Sequence, residues 1–202
     1  MKKTKKFTLI EIMVVIAIIA ILAACIYPAL MAVQNNSRRT KTETILTGVN
    51  TAIRVYKGDY EDLPKVGGSV QKRIGDWSGN IDDMKPDSTY TTFFDILTFK
   101  NHESGTGEPT ETVKKANSHS KQYLDPPKEY FQVKDNRHSI RDAWNRPIIV
   151  YLDDDGDDKV ELESKHANGD SILGGSSVAI SMGNQSVDNA SKADKQAFIV
   201  IK

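Results

Sequence analysis

The chain steps sharply from apolar to polar. Residues 12–33, "IMVVIAIIAILAACIYPALMAV", run for 22 positions without a charge, and the sequence after them is markedly polar. Roughly 20 apolar residues cross a bilayer as a helix, and a run this uniform does not suit one face of a soluble core helix. Behind it, "SRRTKTETILTGVNTAIRVYKGDYEDLP" changes character. Ile45, Val49, Ala52, Ile53 and Tyr56 fall at i, i+4, i+7, i+8 and i+11, a single helical stripe. The pattern predicts a helix from about Thr8 to Lys57, apolar all round and then amphipathic, capped by Gly58 and ended before Pro64.

Residues 65–128 are weakly patterned. "KVGGSV", "DWSGN" and "DDMKPDS" read as loop. "TTFFDILTFKN", residues 91–101, holds Phe93, Phe94, Ile96 and Leu97 in a helix-compatible core cluster, capped by Ser88 or Thr91. "HESGTGEPTETVKKANSHSKQ" is polar and reads as a loop. The last third is β-rich: "EYFQV", "RPIIVYL", "DKVELE", "SSVAISM" and "QAFIVIK" are short β-branched or aromatic runs between turns. Short connections predict antiparallel pairing. The fold class is therefore α+β, one long helix laid across a small antiparallel sheet.

Composition narrows the function. The 27 basic and 27 acidic residues balance, and basic residues are not grouped with aromatics, so nothing indicates nucleic-acid binding. Cys25 is the single cysteine and lies inside the apolar run, which excludes an intramolecular disulfide. His102, His119, His138 and His166 are scattered without zinc-ligand spacing, and Ser139 beside His138 reads as a chance neighbour in a loop. No nucleophile elbow or phosphate-binding loop is present, so no catalytic residue is assigned and no enzyme is expected.

The chemistry at the N-terminus is a lone carboxylate, Glu11, at the entrance of the apolar run. Within a span it costs on the order of 2–3 kcal/mol. A plain membrane anchor leaves it unexplained unless it reaches interfacial water. A secretory signal with lipidation at Cys25 accounts for "LAAC", although lipoproteins usually turn polar after that cysteine and this chain does not. Such a chain would be a membrane-tethered lipoprotein or binding domain.

A third reading explains the acid. "FTLIE" followed by "IMVVIAIIAILAA" closely resembles the N-terminal signature of type IV pilins and the pseudopilins of type II secretion systems. The resemblance implies that residues 1–6 are a basic leader, cut between Lys6 and Phe7 by a prepilin peptidase, with Phe7 then N-methylated. Lys6 stands where the family usually has glycine. By the same resemblance, residues 7–33 form the transmembrane and fibre-core helix, 34–58 its amphipathic continuation, and 59–202 an exported α+β domain. Glu11 becomes the assembly residue, meeting the free amine of the next subunit in the fibre, a charge-assisted contact in place of a costly charge in lipid. The implied partners are copies of itself, other pseudopilins, the peptidase, secretion platform proteins and membrane lipid. The implied place is the bacterial inner membrane, with the C-terminal domain in the periplasm. A pseudopilus subunit of the major type is the expected function, with a type IV pilus pilin as the alternative.

Two later stretches carry further chemistry. Asp142, Trp144, Asn145 and Pro147 in "DAWNRP" resemble the D-P-W-G-N-P element of major pseudopilins, with Ala143 and Arg146 as departures. "DDDGDDKV" sets Asp153, Asp155 and Asp157 at alternate positions around Gly156, with Lys159 offering its carbonyl, a degenerate match to the first half of a calcium loop. An acidic hairpin tip is the competing reading. Related pseudopilins bind calcium near the C-terminus, and "SMGNQSVDN" resembles that loop, which makes Asn184 and Asp188 further candidates.

Overall fold

The computed structural model describes residues 8–75, 86–101, 107–134, 137–163, 171–181 and 199–201. The chain divides into two compact units, Met1–Arg38 and Arg39–Lys202. Helix α1, Leu9–Tyr60, is 52 residues long and contributes to both. In the first unit its large apolar side chains, from Leu9 to Val33, are exposed. An 18-residue window there has a mean hydropathy of 3.1 and is nowhere buried, long and apolar enough to cross a membrane.

In the second unit α1 presents the expected stripe inward: Ile45, Val49, Ala52, Ile53 and Tyr56 are buried, together with Leu46. The helix runs past Gly58 to Tyr60 and stops at Glu61, whose φ of 56° is left-handed. The extra turn carries Tyr60, whose ring lies 4.5 Å from that of Tyr56 and whose hydroxyl accepts from His119 N–H. Packing thus overrides the glycine stop.

Among the described residues, two more α-helices, a single 3-10 turn at Lys128–Tyr130 and eight strands follow. Strand β1 is Arg73–Ile74. Helix α2, Ser88–Thr98, is capped by Asp87, which accepts from Tyr90 N–H, in place of the expected Ser88 or Thr91. Helix α3, Glu111–Ala116, lies in the stretch expected to be loop. Its Val113 is buried in the core, and Thr110 caps its start.

Strands β2 (Phe131–Lys134) and β3 (Arg137–Ile140) form one antiparallel hairpin. Strands β4 (Ile149–Leu152), β7 (Ser177–Ser181) and β8 (Ile199–Ile201) join β1 in a four-stranded antiparallel sheet of order β1-β4-β7-β8. Strands β5 (Lys159–Glu161) and β6 (Ile172–Gly174) form a second hairpin.

Both faces of the four-stranded sheet are covered, which is why β4 and β7 are buried at every position. Ile74, Val150, Leu152 and Ala179 belong to the main core with α1 and α2, including Phe93, Phe94, Ile96 and Leu97. Ile149, Tyr151, Val178 and Ile180 pack the other way, with Val160, Leu162 and Leu173 of the β5–β6 region. The period-2 alternation of a strand sorts the two sets.

Candidate functional site

At the start of α1, Thr8 and Glu11 form a reciprocal cap. The Glu11 carboxylate accepts from Thr8 N–H at 2.7 Å and from Thr8 Oγ1 at 2.8 Å, and Glu11 N–H donates to Thr8 Oγ1 at 3.4 Å. A helix N-terminus leaves amide donors unpaired and carries partial positive charge, so a carboxylate three residues in satisfies both. Glu11 therefore has partners within its own helix. Thr8 is the residue that sequence reasoning missed here, although the T-x-x-E spacing was its signal. Lys6 and Phe7 lie outside the described residues.

The "DAWNRP" element forms a tight turn around Asp142, which is 2 % exposed. Its Oδ1 accepts from Trp144 N–H and Arg146 N–H, both at 2.9 Å, and its Oδ2 accepts from Ser181 Oγ at 2.6 Å. Burial raises its pKa against these bonds and the Arg146 charge. Asn145 has φ 65°, a left-handed conformation that glycine and asparagine tolerate best. Ala143 N–H donates to Thr42 Oγ1 at 3.1 Å, joining the turn to α1. Ser139 and His138 are not loop residues. Both are buried in β3, with His138 Nε2 3.4 Å from Asp95 Oδ1 of α2 and its ring stacked on Phe131. His119 is exposed and stacks on Tyr60, whereas His102 and His166 lie outside the described residues.

The acidic loop brings three of the candidate ligands together. Asp153, Asp155 and Asp157 offer carboxylate oxygens that lie within 4.8 Å of one another. Calcium holds oxygens at about 2.3–2.6 Å, so that span fits one ion, and hard carboxylate oxygens suit it. Asp153 is buried and organises the turn, accepting from Gly156 N–H at 2.7 Å and Asp158 N–H at 3.0 Å. An N–H bond from Asp157 favours the Asp155 carboxylate, yet repulsion from Asp157 and Asp153 leaves its pKa raised. Lys159 binds Asp157 through its ammonium at 2.9 Å and its backbone N–H at 2.8 Å, holding Asp157 below the usual carboxylate range. Its side chain is thus a rival cation at one corner of the cluster. The adjoining cleft, of about 530 Å³, is lined in part by Lys57, Glu61, Asp62 and this loop. Asn184 and Asp188 lie outside the described residues.

Residues 2–27 match the family model for the prokaryotic N-terminal methylation motif. The type II secretion system core protein G of Klebsiella pneumoniae is 35% identical over 74 residues, 37% of this chain and 53% of that protein. The protein of that name from Escherichia coli K12 is 32% identical over 72 residues, 36% of this chain and 50% of its own. The chain thus spans about half the length of these two relatives. The type IV major alpha-pilin of Moraxella bovis is 32% identical over 108 residues, 52% of this chain and 67% of the pilin. The chain belongs to the type IV pilin-like family.

For a pilin-like chain, the expected layout of a long apolar N-terminal helix followed by a small antiparallel head is the one observed. The family is one of structural, not catalytic, subunits. No solved structure matches the pilin-like chain.

Proposed function

We propose that this pilin-like chain is the repeating subunit of a type II secretion pseudopilus. It waits in the bacterial inner membrane as a single-pass protein with residues 59–202 in the periplasm. The observation that carries the reading is the exposed apolar half of α1 with Glu11 at its start. In water such a surface has no stable place, whereas in lipid or against copies of itself it does. The two secretion-protein relatives support the secretion role.

In this reading a prepilin peptidase removes residues 1–6 and Phe7 becomes the methylated terminus. The Phe7 amine of one subunit then competes with Thr8 of another for the Glu11 carboxylate, so assembly exchanges one set of partners for another. Other pseudopilins, the platform proteins and membrane lipid are the remaining partners. Calcium, held by Asp153, Asp155 and Asp157 with Asn184 and Asp188 as a second candidate pair, would stiffen the head. The ion would supply charge neutralisation; the aspartates would supply the oxygens.

The test is Glu11→Ala in the host. The expected result is a processed, membrane-inserted monomer that forms no fibre, seen by electron microscopy and fractionation; normal fibres would refute the assembly role. N-terminal mass spectrometry separates a terminus at Phe7 from a lipidated Cys25, the outcome for the tethered-lipoprotein reading. A type IV pilus is the second reading, favoured by the longer coverage of the Moraxella pilin. Long surface fibres at native expression would select it. Accumulation of secreted proteins in the periplasm on deletion would select the pseudopilus.

A further inference from the structure

The head has an apolar hollow beside α1, with a volume of about 270 Å³. Ile45 and Val49 of α1, Leu124, Pro126, Pro127 and Ile140 of β3 wall it, and Gly48 lines it too. A Cβ at Gly48 would meet nothing within 4 Å, so glycine leaves the hollow open at a cost in helix propensity. The volume lies below the about 300–1,000 Å³ of small-molecule pockets and suits one branched aliphatic side chain. Thr44 and Asp125, both exposed, complete the lining. They are shared with a more open groove that reaches Val55.

The matching knob is Ile172 of β6, which is 55 % exposed. Its neighbour Leu173 is buried in the second apolar cluster, with Tyr151 and Val178. Strand alternation therefore turns Ile172 away from the sheet. Ile45, Val49, Leu124 and Ile140 belong to the main cluster, on the sheet's other face. Knob and hollow thus lie on opposite faces of the four-stranded sheet. The charges beside them are complementary. Glu161, the register partner of Ile172, accepts from Lys72 Nζ at 2.6 Å. Asp125 has Lys100 Nζ 3.9 Å away. An acid and a base flank each feature, so docking allows Lys72 to face Asp125 and Glu161 to face Lys100.

We infer that Ile172 of one copy seats in the Gly48 hollow of the next, a contact that rests on the fibre reading proposed above. The chain itself carries the knob. Among the described residues of the second unit, Ile172 and Val55 are the exposed large apolar side chains, and Val55 already lines the groove. A two-fold pair meets through one shared patch, so features on opposite faces are not both filled in it. A head-to-tail contact leaves a free hollow at one end of a row and a free knob at the other, and so repeats. The row is polar, as a fibre growing from one end requires.

The test is disulfide crosslinking of the full chain in its host, with Cys25→Ser, Thr44→Cys and Ile172→Cys. A mild oxidant is added, and fibres are counted by electron microscopy in the same samples. The expected result is a ladder of dimers, trimers and longer multimers, lost when Gly48→Leu fills the hollow. A ladder that stops at the dimer, survives Gly48→Leu, or forms equally with Ile172→Cys alone would overturn the contact. Normal fibres without a ladder would overturn it too, and would leave the fibre reading standing. Absence of fibres from the parent chain would remove both. Should the cysteine pair itself stop assembly, Ile172→Leu and Ile172→Asp decide, with unchanged melting as the check on folding. Fibres from the leucine variant alone support the knob; fibres from both variants, or from neither, overturn it.

Discussion

Asp142 receives hydrogen bonds from Ser181, Trp144 and Arg146. Burial nonetheless raises its pKa. A raised acid in the folded state costs stability above its folded pKa, and that cost vanishes as pH falls below the unfolded value. Asp142→Asn keeps an acceptor for both backbone amides and never ionises. Relative to the parent, it is expected to gain stability as pH rises through that window. Urea midpoints measured from the acid range to neutrality should show the difference growing, and a pH-independent difference would refute it. At the acidic loop, millimolar calcium is expected to raise the melting temperature, and Asp153→Asn with Asp155→Asn to remove the response. An unchanged melting curve on chelation would remove calcium from the account. The alternation of Asp153, Asp155 and Asp157 was legible because all three carboxylates are local in the sequence. The Asp95–His138 contact was not, since its partners stand 43 positions apart and only the fold brings them together.

At the scale of elements, α1 carries a tolerated defect. Gly48 sits mid-helix, and a Cβ there would meet nothing within 4 Å. Gly48→Ala is therefore expected to stabilise the head by about 1 kcal/mol, the propensity difference alone. Thermal melting checks this, and a loss of stability would mean that the position is needed by a neighbour. Elements with a strong hydrophobic period were readable, as with α1 and the five β-branched runs that became β2, β4, β5, β7 and β8. Strands β1, β3 and β6 were not. Each is two to four residues long, and "RHSI" buries a histidine and a serine where an apolar pattern would be sought. Helix α3 escaped for a related reason, because Val113 is its one buried side chain. Such short pieces take their form from pairing and capping supplied by the rest of the chain.

For the whole molecule, residues 39–202 contain both apolar clusters and the sheet. That part is expected to fold in water without residues 1–38, as a monomer with cooperative melting. Ultracentrifugation and calorimetry check it, and aggregation or absence of a transition would show that the head depends on the first unit. The amphipathic half of α1 packs its stripe into the head, and the apolar half leaves its large side chains exposed. One consequence follows from the doubly covered sheet. Among the described residues of the second unit, Val55 and Ile172 are the large apolar side chains left open to solvent, against the many exposed between Leu9 and Val33 in the first. Such a chain has the constitution of a surfactant, tail and headgroup in one polypeptide. Freed from membrane, it should gather into rosettes of limited size with polar heads outward, and it should carry a critical concentration as a detergent does.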